Sequence, residues 1–242
     1  MSALIRRLSG LFILLTLLTL SASTIVADDY RSPKEVFDKM EANLMKIKNR
    51  RVKFRIEATG AVTGTFEGEI LFKKGNVMDY RTSGKFLGKD HKLFLLCDGA
   101  KLRGGNSGSE KSPFEMDAPA GLRPGILIGM SRMGLMHNIA RLTGNKPPDR
   151  IDGSVYQWLV VQDAAYAKEN PPDSPLATAE LKQKDKKLIV VFYKLGVENE
   201  KNAGDVELWI DKKTNLPTFR TITVHFSQGD MFVTEKYEWS KA

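Results

Sequence analysis

Beyond residue 30 the chain switches between two hydrophobic periods, and each switch marks an element. Ser32-Pro33-Lys34-Glu35 opens the first. It offers a capping hydroxyl, a proline suited to the first helical position and a glutamate at the third. Val36, Phe37, Met40, Leu44 and Ile47 then recur at helical spacing, predicting an amphipathic helix that ends near Asn49. The period next drops to two. Val52, Phe54, Ile56 and Ala58 alternate with Lys53, Arg55 and Glu57, the pattern of a half-buried strand. Further strands are expected over residues 65–73, 77–82 and 92–97, separated by turns at 59–64, Gly75-Asn76 and Asp98-Gly99.

The middle of the chain is less regular. Residues 103–111 are glycine-rich but lack the Gly-Lys-Ser/Thr ending of a phosphate loop, so they read as a flexible surface loop. Residues 123–142 fit one helix, with Pro124 near its start and a wide face of Ile126, Leu127, Met130, Met133, Leu135, Met136 and Ile139. Methionine suits a surface that adapts to varied apolar partners, and equally suits ordinary core packing. A loop over 144–153, a strand over 155–161 and a polar, proline-containing connection over 163–187 come next. Four strands at 188–194, 206–211, 217–226 and 231–239 close the chain. Strands joined by short turns predict a mainly β, α+β domain: one large meandering antiparallel sheet with two helices to cover a face.

The N-terminus adds a location. Arg6 and Arg7 precede an apolar run from Leu11 to Leu20, too short to span a membrane, and small residues come after it. This is the form of a secretory signal over residues 1–27, with cleavage after Ser23 or after Ala27, or else an uncleaved anchor. A single exported domain over residues 28–242 is expected, working in the periplasm and not membrane-spanning once mature. No cysteine near the cleavage site offers a lipid attachment point. Cys97 is the only cysteine, so no internal disulfide forms, and its apolar neighbours predict burial. The chain is 42% apolar, enough to build a core of its own.

Charge narrows the partners. The full chain carries a net +8, and losing Arg6 and Arg7 lowers that by two charges. The excess is scattered, densest at Lys182, Lys184, Lys186 and Lys187, so nucleic acid is not an expected partner. Weak attraction to anionic lipid headgroups remains compatible with it. Candidate chemistry is sparse. His91, His137 and His225 lie far apart on different elements, and none has a second ligand at metal-binding spacing. No nucleophile elbow, Cys-x-x-Cys or dinucleotide fingerprint occurs. The expectation is a non-enzymatic protein without metal or cofactor.

Three stretches carry a resemblance. They are Gly68-Glu69-Ile70-Leu71-Phe72-Lys73-Lys74-Gly75-Asn76-Val77-Met78-Asp79-Tyr80, Leu95-Leu96-Cys97-Asp98-Gly99-Ala100-Lys101, and Val206-Glu207-Leu208-Trp209-Ile210-Asp211 followed by Leu216-Pro217. In element order the chain resembles the periplasmic lipoprotein carriers of the Lol pathway and the looser outer-membrane lipoprotein-sorting-like group. The resemblance implies a LolA-like fold: an unclosed β-barrel, a strongly curved antiparallel sheet with helices covering its concave apolar face. It departs from the carriers at three positions. Lys74 stands where they have an arginine important for handing cargo on, Gly75 replaces the turn proline, and Met78 replaces an aromatic. Lys74 is carried over as the cargo-transfer candidate, although lysine cannot make the planar forked contact of arginine.

Together these readings suggest a carrier that shields lipoprotein acyl chains, or another amphiphile, from water. The expected lining is Leu127, Met130, Met133, Met136 and Ile139 from a helical lid, facing Phe54, Ile56, Phe66, Ile70, Phe72 and Met78 from the sheet. Inner- and outer-membrane transport components are the corresponding partners. The alternative on the same scaffold is an envelope sensor or protein-interaction module without lipid. An exported hydrolase rests on no motif.

Overall fold

Ser32 does cap the first helix: its side-chain oxygen accepts from the Glu35 amide at 3.2 Å, with Pro33 in the first turn. The structure is a computed structural model and describes residues 32–106, 113–119, 121–137, 139, 180–183, 187–197 and 200–242. The expected signal segment, the 155–161 strand and most of the 163–187 connection lie outside them. Helix α1 (Pro33–Met45) buries Val36, Phe37, Met40 and Leu44. It stops four residues earlier than expected. Asn49 then takes a positive φ of 50° before the first strand begins.

Six strands come next in a meander: β1 (Arg50–Gly60), β2 (Gly64–Phe72), β3 (Val77–Phe86), β4 (Lys89–Asp98), β5 (Lys101–Asn106) and β6 (Phe114–Asp117). Helix α2 (Leu122–Ser131) succeeds them, then β7 (Glu180–Gln183), β8 (Leu188–Val197), β9 (Glu200–Asp211), β10 (Leu216–Phe226) and β11 (Gly229–Lys241). All eleven join one sheet in the order β6-β5-β4-β3-β2-β1-β11-β10-β9-β8-β7, every pairing antiparallel. Strand β1 is the seam, pairing with β2 on one side and β11 on the other. The order runs from β6 to β7 without closing on itself, so the sheet is an unclosed barrel.

Alternation sorts the two faces. Along β1, Val52, Phe54, Ile56 and Ala58 are buried while Lys53, Arg55 and Glu57 are exposed. Both helices lie on the apolar inner face, with α1 packed against α2, β8 and β10. Bulky rings crowd that face, and glycine makes room for them. A Cβ on Gly68 would sit 2.7 Å from the ring of Phe54, its register partner.

Three expectations need correction. Residues 103–106 of the expected surface loop belong instead to strand β5, with Gly104, Gly105 and Asn106 buried, and 107–111 lie outside the described residues. The ring of Phe114, paired across from Gly104, fills the space that a side chain there would take: a Cβ on Gly104 would lie 2.3 Å from it. The polar connection contains a short strand, β7, at Glu180–Gln183. The continuous helix over 123–142 is interrupted. Helix α2 ends at Ser131, Gly134 turns the backbone at φ 85°, and a second helical turn begins at residue 135.

Cys97 is 3% exposed, and burial holds its thiol above the ordinary value. No helix among the described residues is long and apolar enough to cross a membrane.

Candidate functional site

The contact between helix layer and inner sheet face collects nearly all the expected lining residues. Phe54, Ile56, Phe66, Ile70, Phe72 and Met78 are buried on the sheet side; Leu127, Met130, Met136 and Ile139 are buried on the helix side. Met133 is only half-buried, because it falls in the break between the two helical pieces. Lys74 stands apart from this layer, exposed in the β2–β3 turn. Leu127, Met130 and Ile139 have no exposure at all, so the layer is closed to solvent. Open depressions of about 610 and 630 Å³ lie along β1 to β4 and β11, lined by charged side chains including Arg55 and Glu67 and also by Phe54, Ile56 and Phe66.

Inside this apolar layer sits a buried polar set that periodicity alone did not bring forward. Strand β11 presents Val233, Glu235 and Tyr237 on its inner face, and β10 presents Arg220 directly across from Glu235. Both charged side chains are 0% exposed. Each grips the backbone of the helix break. Arg220 donates to the carbonyl of Met130 at 3.4 Å and to that of Arg132. Tyr193 of β8 donates to the carbonyl of Ser131 at 2.6 Å. These are carbonyls that a helix C-terminus leaves without an internal partner, and a cation there also complements the helix dipole.

Glu235 serves the other side of the break. Its carboxylate accepts from the amides of Met136 at 2.7 Å and Leu135 at 3.1 Å, and from the Tyr237 hydroxyl. It thereby caps the N-terminus of the second helical turn from a distant strand. Burial first, and then the charge of Glu235, push the Tyr237 phenol well above its ordinary value. Gly134 lets the backbone come this close: a Cβ there would lie 2.6 Å from a Glu235 oxygen. The signal for these residues was present in the sequence. Arg220 is in phase with Ile222, and Glu235 with Val233 and Tyr237, so both charges fall on an apolar face.

Helix α1 holds the break from outside. Glu41 forms a two-pronged pair with Arg132, at 2.7 and 2.8 Å, and accepts from the Ser131 hydroxyl at 2.9 Å. The start of α2 has its own tether. The Asn76 side chain accepts from the Arg123 amide at 3.1 Å and donates to the Pro119 carbonyl at 2.8 Å. Arg123 reaches the Ile47 carbonyl, and burial lowers its pKa. The histidines do not converge. His91 pairs with Asn106 in the interior, whereas His225 lies between Asp230 and Asp205. Among the described residues no cluster of three metal-ligating side chains occurs.

No family model and no curated protein matches the chain. Among solved structures it is similar to a LolA superfamily protein from Nitrosomonas europaea. Identity there is 8% and the TM-score 0.30, over 88% of this chain and 94% of that one. It is also similar to a DUF1329 family protein from Desulfovibrio piger, at 8% identity and a TM-score of 0.32, over 87% and 94% of the two chains. Overlap at this level carries no argument about cargo or chemistry.

Proposed function

We propose that this protein is a non-enzymatic periplasmic binding protein that shelters the acyl chains of a lipoprotein, or of another amphiphile, between its sheet and its helices. The carrying observation is how the helical segment is fastened. It lies on an apolar layer, and the sheet's polar grip falls on one break, through Arg220, Tyr193 and Glu235. Buried charges are weak support for stability, and in this reading the set is the latch of an element with two arrangements. With the grip released, the segment lifts and exposes the apolar faces of Phe54, Ile70, Leu127 and Met130. An acyl chain entering there is stabilised by about 0.8 kcal/mol per buried methylene. Lys74, on the exposed turn, is the proposed contact for handing cargo on to membrane components.

The second reading is an interaction module without lipid, favoured by one observation: Leu127, Met130 and Ile139 already fill the layer completely. Mass spectrometry of organic extracts decides between the two, using mature protein purified gently from the periplasm without detergent. A stoichiometric lipid or lipoprotein supports the carrier. An empty extract, still empty after incubation with labelled lipoprotein, leaves the interaction module.

A further inference from the structure

Among the described residues the buried phenols differ in one respect. Tyr193 donates to a helix carbonyl and Tyr237 to Glu235. Tyr80, only 1% exposed on the inner face of β3, has a hydroxyl with no hydrogen-bond partner. Its surroundings are apolar: Ile70 and Leu95 are its register partners, and the Phe54 ring stands edge-on at 5.7 Å. Phenylalanine would pack this position equally well. A buried hydroxyl left unbonded costs free energy that phenylalanine avoids. Such a group in a native interior needs an explanation, and an acceptor that arrives from elsewhere supplies one.

We propose that the Tyr80 hydroxyl is the polar anchor of the sheltered chain, donating a hydrogen bond to the neutral carbonyl of an acyl ester or amide. This rests on the carrier reading and names the group that reading requires at the chain's head. Two features select a neutral carbonyl over a phosphate or carboxylate. A charged headgroup brought to this depth would lose its hydration, and Ile70, Leu95 and Phe54 beside the hydroxyl offer it nothing in return. It would also meet the field of Glu235, which, after burial itself, is the second influence raising the Tyr80 phenol. The same two influences keep the phenol protonated, and so a donor, at every physiological pH. Glu235 is not the acceptor of this hydroxyl: its oxygens accept from Leu135, Met136 and Tyr237 instead.

The test compares a palmitoyl lysophospholipid with its ether-linked counterpart, which keeps the chain and headgroup but lacks the carbonyl. Calorimetric titration of the full mature protein should show the ester bound roughly two- to twelvefold more tightly, the span of one neutral hydrogen bond. Tyr80→Phe should erase that preference while leaving the ether affinity unchanged and the melting temperature equal or higher. A lowered melting temperature would mean the hydroxyl is already satisfied in the free protein, which overturns the proposal. Wild type that binds both lipids equally overturns it too, and leaves the carrier reading standing. Wild type that binds neither ends both.

Discussion

Replacing Glu235 by glutamine removes one charge and almost no volume, so it isolates what the carboxylate does. In the wild type, two backbone amides and one phenol converge on its oxygens at a site fully shut off from water. A carboxamide has a single acceptor oxygen, and its NH2 group must face at least one of those three donors. One donor therefore loses its acceptor, and the others exchange a charge-assisted bond for a neutral one. Arg220 across the strand pair also loses the carboxylate opposite it. Charge-assisted bonds are worth about 1.5–3 kcal/mol each and neutral ones about 1, so at the weak end of that range the net loss is about 3 kcal/mol. For a domain of this size that lowers the melting temperature by roughly 6–12 °C. Thermal unfolding by circular dichroism measures the global effect, and hydrogen exchange at the Leu135 and Met136 amides measures the local one. Exchange there should accelerate by roughly two orders of magnitude. Unchanged melting together with unchanged exchange at both amides would refute the claim that Glu235 holds the helix break.

Local geometry sets three further outcomes. Gly134→Ala should destabilise by about 1–3 kcal/mol in denaturant titration, because a Cβ at φ 85° meets a Glu235 oxygen. Leu87→Asn should raise stability by about 0.5–1 kcal/mol: Leu87 is 61% exposed at φ 49°, a conformation that asparagine tolerates far better, and equal or lower stability would contradict this. The carboxylates of Asp230 and Asp205 raise the pKa of His225 above 6.5, so its stabilisation is complete below that value and fades as pH climbs through the raised one. The melting-temperature gap between wild type and His225→Gln should therefore shrink from pH 6 to pH 8, and a gap that widens would count against it.

How far the sequence could be read depended on whether the information was periodic. The Ser32 cap and the alternation from Val52 to Ala58 are local signals, and both appear in the structure where they were expected. Strand β5 stayed hidden because glycine reads as loop until Phe114 on the next strand is known to cover Gly104. The helix over 123–142 looked continuous because apolar spacing runs straight across Gly134. What breaks it is a carboxylate a hundred residues away, aimed at the amides of Leu135 and Met136. The lining residues were legible as apolar faces. The polar residues that fasten one face to the other acquire meaning only through strand pairing. Arg220 and Glu235 are in phase with apolar neighbours, but only the register of β10 on β11 sets the two charges opposite each other.

The claim that acyl chains occupy the space between sheet and helices is tested most directly by photo-cross-linking. The probe is a lysophospholipid with a diazirine near the end of its chain, incubated with the mature protein, irradiated and mapped by peptide mass spectrometry. Adducts are expected on inner-face residues such as Phe54, Ile70, Leu127 and Met130, all of them buried. Adducts confined to the outward-facing side chains around Arg55 and Lys85, or none above a protein-free control, would contradict the claim.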